Sequence, residues 1–311
     1  KWNGRKWSER GSMGMTFEEF SRIIREGLQE QLEDGISISL DQIKENNGTV
    51  RTVLTLSRGK GGLCPRFDMR SLYEQYQEMG EDWEAMDQVL RSLREAGSGI
   101  GRERAKREEI GDILDYEQWK ESIVFRLVNT EKNRELLKER PGIPFLDLSL
   151  MFWVYRRTGT GAIVEFPIND RCMEIWQVTV PQLEEQARRN TPRLLPAKIT
   201  GMRRLMELLQ FRTGEVERDA FCLLSNAPGR YGAAVIAYEG ILNELWDRLG
   251  GDFTLIPLSV HEMLAVSDSI RPLAVKLREI LQEGFGITQE EWLSDHMYHY
   301  CREKGKLEIE E

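Results

Sequence analysis

The stretch ISISLDQIKENNGTVRTVLTLS, residues 36–57, is the strongest single constraint on the fold. Ile36, Ile38 and Leu40 alternate with polar residues, and Val50, Thr52, Leu54 and Leu56 recur at every second position. A period of two belongs to a strand, whose successive side chains point to opposite faces. Between the two runs sits Asn47-Gly48, a pair that accepts the positive φ of a tight hairpin turn. The segment therefore reads as an antiparallel β-hairpin.

The same organisation recurs along the chain. ESIVFRLVN (121–129) and FLDLSLMFWVYRR (145–157) are strand-like, and GTGAIVEFP (159–167) closes a hairpin through Gly159 and Gly161. AFCLLSN (220–226) and YGAAVIAY (231–238) flank the turn APGR and read as two more strands. FTLIPLS (253–259), EMLAVS (262–267) and HMYHYCREKGKLEIE (296–310) complete the set, the last turning at Lys304-Gly305.

Helices punctuate these strands. Thr16 and Glu19 form a capping box at the head of a helix that buries Phe17, Phe20, Ile23, Ile24 and Leu28 and runs to about Glu33. DMRSLYEQYQEMG and EDWEAMDQVLRSLREAG form two helices ending at Gly80 and Gly97. TVPQLEEQARRN is a helix capped by Thr179 and stopped before Pro192, and EKNRELLKER one capped by Asn129 or Thr130. EGILNELWDRLGG and RPLAVKLREILQEG follow, and Thr288 with Glu291 caps a short helix ending near Asp295. Hairpins separated by single helices indicate an α+β fold in a hairpin-helix-hairpin organisation. Its sheets are mixed but largely antiparallel, with helices packed on one face.

Residues 1–14 are charged, lack the apolar stretch of a signal peptide, and read as non-native or disordered, with Met13 or Met15 the expected start. An N-terminal α+β unit is expected over 15–96. Glycines and dense mixed charge make 97–112 a linker, and a C-terminal α+β unit covers 113–311.

The bulk numbers narrow the function classes. A chain of 311 residues with 40% apolar and 31% charged residues has the balance of a globular protein, and it contains no run of about eighteen apolar residues to cross a bilayer. A net charge of −9 opposes general attraction to phosphate backbones, so nucleic acid is not the expected partner. The four cysteines, Cys64, Cys172, Cys222 and Cys301, are scattered, which points to reduced thiols and a cytoplasmic setting.

No motif commits the chain to a chemistry. SRGKGG lacks the order of a phosphate loop, no G-x-S-x-G elbow occurs, and GSGIG follows a helix where a dinucleotide site needs a strand before it. The candidate polar residues are His261, Glu262, Asp295, His296 and His299. A metal-assisted hydrolase would use His261, Asp295, His296 and His299 as ligands and Glu262 as base. On a strand, however, His296 sides with Tyr298 and Tyr300 while His299 sides with Met297 and Cys301, so the two histidines cannot chelate one ion. A nucleic-acid-associated factor would use Arg188, Arg189, Arg193, Arg203 and Arg204. Such arginines more commonly cap helices and solvate surfaces. The expectation is a non-enzymatic protein, without cofactor or metal, that binds another protein.

The segments MTFEEF (15–20), RSLYEQYQEMG (70–80), FRLVNTEKNRELL (125–137), FLDLSLMFWV (145–154), NTPRLLPAKI (190–199), GAAVIAYEGILNEL (232–245), LIPLSVHEMLAVSD (255–268) and LSDHMYHYCREKG (293–305) resemble, in wording and order, a bacterial family catalogued as domain of unknown function 5688. The resemblance implies no activity, cofactor or catalytic residue. It does single out NTEKN and SDHMY as polar segments the family pattern includes.

Overall fold

The computed structural model describes residues 14–58, 65–98, 113–159, 161, 163–201, 220–272, 274, 276, 278 and 286–310. They form two compact units, described one at a time. The chain is α+β, and every strand ladder described in it is antiparallel.

The first unit contains helix α1 (Phe17–Gln31), strands β1 (Ile36–Lys44), β2 (Val50–Arg58) and β3 (Arg66–Asp68), and helices α2 (Met69–Glu78) and α3 (Trp83–Ser98). Its sheet has the order β1-β2-β3. The expected hairpin pairs from Ile36 with Arg58 to Lys44 with Val50, and its turn places Asn47 at φ 58° and Gly48 at φ 71°. The capping box forms at Thr16 and Glu19, each backbone N–H lying 3.2 Å from the other's side-chain oxygen. Phe20, Ile24 and Leu28 of α1, at helical spacing, meet Leu54 and Leu56 of β2 and Met86, Val89, Leu90 and Leu93 of α3. Gly27 lets α1 approach α3 closely, since a Cβ there would lie 3.0 Å from the Leu90 side chain. Of the expected linker 97–112, Gly97 and Ser98 belong to α3, and 99–112 lie outside the described residues, as do 1–13.

The second unit takes in Asn46–Thr49 and the described residues from Ile113 onward. It carries two sheets. In the first, β6 (Leu148–Arg157) pairs along one side with β4 (Ile123–Asn129). Along the other side it pairs with β5 (Gly142–Phe145) and then β7 (Ile163–Pro167). All seven residues of β4 are buried, as expected for a strand covered on both faces. The second sheet has six strands in the order β13-β12-β10-β11-β9-β8. These are β8 (Ala197–Gly201), β9 (Phe221–Asn226), β10 (Phe253–Pro257), β11 (Met263–Ser267), β12 (Met297–Cys301) and β13 (Lys306–Glu310). Its helices are α4 (Tyr116–Trp119), α5 (Asp170–Trp176), α6 (Val180–Leu194) and α7 (Ile241–Leu249).

Five local expectations are corrected here. Helix α6 does not stop before Pro192 but runs through it to Leu194. Pro192 falls in the last turn of the helix, and the neighbouring Thr191 hydroxyl donates to the Ala187 carbonyl at 2.6 Å and accepts the N–H of Phe125 at 3.1 Å, fastening α6 along β4. FLDLSLMFWVYRR is not one strand, because Leu146 at φ 59° turns the chain back and pairs Phe145 of β5 with Leu148 of β6. EKNRELLKER forms turns and a 3-10 turn at Leu136–Lys138, not an α-helix. The Thr288–Glu291 capping contacts close a single turn, not a helix. YGAAVIAY is not a strand: Gly232–Ala237 is a 3-10 helix that buries Ala233, Ala234, Val235 and Ile236. A short apolar run has no periodicity to separate these states, so its packing decides.

Candidate functional site

Strand β12 behaves as its alternation requires: Tyr298 and Tyr300 are buried, and His299 lies on the opposite face, its Nε2 2.9 Å from Asp268 Oδ2. Asp295 and His296 are exposed before the strand starts. His261 sits between β10 and β11, where its Nδ1 accepts the Tyr231 N–H at 2.9 Å and its Nε2 lies 3.6 Å from Glu291 Oε1. Glu262 serves the same turn through its carbonyl, which accepts from Leu258 and Ser259. Thus His261 and His299 face different carboxylates. Among the described residues no three His, Cys, Asp or Glu side chains are grouped to hold a metal ion.

The arginines are engaged with neighbours. Arg188 pairs with Glu184, Arg189 with Glu121, and Arg193 with Glu121 and the side chain of Asn190. Arg203 and Arg204 lie outside the described residues.

The polar segments NTEKN and SDHMY are each tied to neighbouring loops, through Leu293 and Asp147. Asn129 donates to the Leu293 carbonyl at 3.1 Å, while Ser294 and Tyr298 donate to the two oxygens of Asp147, each at 2.8 Å. Asn133 and Asn47 exchange hydrogen bonds of 2.9 Å. Each of these groups spends its capacity on another, so the cluster holds loops together as a satisfied buried network.

A different constellation, spread over five segments of the second unit, has the composition of a site. Arg126 stands in the middle of buried β4 with its side chain 5% exposed. The pairings Val124 with Trp153 and Tyr155 with Glu165 place Arg126, Trp153 and Glu165 on one face of the sheet. The Arg126 guanidinium lies 3.7 Å from the Trp153 ring centre and 3.9 Å from that of Tyr231, between two aromatic faces. Glu165 holds it from the side, with Oε2 2.8 Å from Arg126 and Oε1 3.1 Å from Arg230. Burial draws the Arg126 pKa below the usual arginine value, and Tyr231 and Glu165 oppose that pull. Desolvated cation–π contacts reach about 2 kcal/mol, so each ring contributes on the scale of a hydrogen bond.

Tyr231 is in the left-handed region, φ 54° and ψ 32°, a conformation that costs of order 1–3 kcal/mol for a residue of its size. Its neighbours hold it there. Asn226 accepts from the Arg230 N–H at 3.1 Å and donates to the Arg230 carbonyl at 2.8 Å, and His261 takes the Tyr231 N–H. Ser225 donates to the His261 carbonyl at 2.9 Å. Gly232 lets the backbones close up, because a Cβ there would lie 2.6 Å from both the Asn226 nitrogen and the His261 carbonyl oxygen. The His261 ring packs on Tyr231 at 5.3 Å. Burial lowers the His261 pKa first of all; Glu291 and Glu262 raise it, and Arg230 and Arg126 lower it further. A neutral imidazole with Nδ1 as acceptor carries its proton on Nε2, toward Glu291.

Of this constellation the histidine scan singled out only His261. A signal for the rest stands in IVFRLVN: an arginine inside an otherwise apolar strand must find a partner when buried. No such signal marks Glu165, Trp153, Arg230 or Tyr231, which meet Arg126 only in three dimensions. The described residues hold no helix long and apolar enough to cross a membrane.

No curated protein and no solved structure matches the chain. Residues 17–302 match the profile of the family of unknown function DUF5688, and the chain, matched over nearly its whole length, belongs to that family.

Proposed function

We propose that this protein acts in the cytoplasm by binding another protein and not by catalysis, and that the partner docks on the Trp153–Arg126–Tyr231 stack. The observation that carries the reading is the stack itself: two half-buried aromatic rings clasping a buried arginine, with the exposed Arg230 beside them. Trp, Tyr and Arg dominate binding hot spots because they offer large contact area with little conformational freedom to lose. The strained but well-fastened Tyr231 turn adds preorganisation, which lowers the cost of association. The hydroxyl of Ser225 and the Nδ1 of His261 are both engaged with backbone groups, which favours a binding face over a nucleophile–base pair. The ion pairs of Arg188, Arg189 and Arg193 weigh against a nucleic-acid face on α6. Cys172 and Cys301 are free thiols, in keeping with a reducing compartment.

The test is site-specific photo-crosslinking in cells. A benzophenone amino acid at position 228, exposed two residues before Arg230, should yield a discrete polypeptide adduct that the same group at exposed Glu18 does not. Adducts of equal yield at both positions, or none at 228, would refute the reading.

A further inference from the structure

Resting on the protein-binding reading, we infer that the partner presents an acidic segment: a carboxylate that seats on Arg230, flanked by apolar residues that cover Trp153 and Tyr231. The site already displays the chemistry it selects. Glu165 divides its two oxygens between Arg126 and Arg230, so one carboxylate serves two guanidinium groups. The two cations are not equivalent. Arg126 is enclosed by the rings, whereas the Arg230 side chain is 55% exposed and Glu165 is its one ion-pair partner among the described residues. Glu165 takes one Nη of that fork, and the other N–H groups have no protein partner among the described residues. An arginine fork recognises a planar carboxylate in two-point fashion, and the stacked rings of Trp153 and Tyr231, 6.4 Å between centres, supply apolar surface next to it.

Charge favours the same occupant. Arg126, Arg230 and Glu165 sum to one positive charge at the centre of the stack, while the whole chain carries −9. The positive end of this cluster is Arg230, and an acidic side chain is drawn to that guanidinium and away from the Glu291 and Glu262 side of His261. Glu291, against His261 Nε2, marks the border where a second acidic side chain would be repelled. The expected ligand therefore alternates acidic and apolar residues.

The experiment measures fluorescence anisotropy of labelled peptides against the full chain. A short peptide alternating Glu and Leu is compared with its Gln–Leu and Lys–Leu counterparts and with a labelled single-stranded RNA. The Glu–Leu peptide should bind, the Gln–Leu peptide about tenfold or more weakly, and Arg230→Gln should reduce the first to the level of the second. Arg230→Lys, which keeps the charge but loses the fork, should fall between them. Because Arg230 is exposed, circular dichroism of both variants should match the parent. Failure of every peptide, or Glu–Leu binding unchanged in Arg230→Gln, overturns the inference. Tight binding of the Gln–Leu or Lys–Leu peptide overturns it while leaving the protein-binding reading in place. Arg230-dependent RNA binding stronger than peptide binding overturns both.

Discussion

The Arg126–Glu165 pair lends itself to a test of which partner the structure needs more. The side chain of Arg126 is 5% exposed and that of Glu165 25%, and Glu165 has a second cation in Arg230. Glu165→Leu leaves a buried guanidinium without its carboxylate, and orphaning one member of a buried pair costs about 3–5 kcal/mol. Arg126→Met removes the buried charge and fills the slot between Trp153 and Tyr231 with an apolar chain of similar reach. Glu165 then keeps Arg230 and its access to water. The loss reduces to the cation–π contacts less what the thioether recovers against the rings, about 1–2 kcal/mol. The double variant should be more stable than Glu165→Leu alone, because it holds no unpaired buried charge. Urea denaturation, followed by near-ultraviolet circular dichroism, reads this directly. With a slope of about 1–3 kcal/mol per molar, the midpoint of Glu165→Leu should fall by 1 M or more, and that of the double variant by distinctly less. Arg126→Met as damaging as Glu165→Leu, or a double variant with the summed loss, would show that the arginine is needed for its charge and that the desolvation argument is wrong.

Three further outcomes follow from the same region. The His261 pKa is lowered on folding, so the unfolded chain binds its proton more readily; stability is complete above the unfolded value of about 6.5 and is lost as pH falls from there toward the folded pKa. Thermal melts from pH 7.5 to 5 should therefore show a slope that His261→Gln flattens, and an identical slope in that variant would refute the assignment. Gly232→Ala should destabilise by about 3 kcal/mol or more in thermal melts, since its Cβ meets fixed backbone atoms, whereas Gly251→Ala, with open space around it, should shift stability by under about 1 kcal/mol. Substoichiometric zinc or a chelator should leave the melting temperature of the parent and of His299→Ala unchanged; a zinc-dependent rise in the parent alone would mean that the histidines share an ion.

Several features of the protein are local and were legible in the order of its residues. The β1–β2 hairpin follows from the apolar alternation of β1, its echo in β2 and an Asn-Gly turn, the start of α1 from Thr16 and Glu19, and the opposed faces of Tyr298 and His299 from the two-residue period of a strand. Each is decided within a few residues, by sterics and hydrogen bonds that distant parts of the chain do not alter. Tertiary structure decided the rest. The run GAAVIA follows a turn fastened to Asn226 and His261 and forms a 3-10 helix, which no local pattern marks. Helix α6 runs past Pro192 to Leu194 and is fastened to β4 through Thr191. Arg126, Glu165, Arg230 and Tyr231 meet only through the register of β4, β6 and β7 and the turn after β9. A buried charge has to be matched wherever the fold brings a partner, and that partner can lie anywhere along the chain, so the pairing of Arg126 could be settled only by the packed sheet.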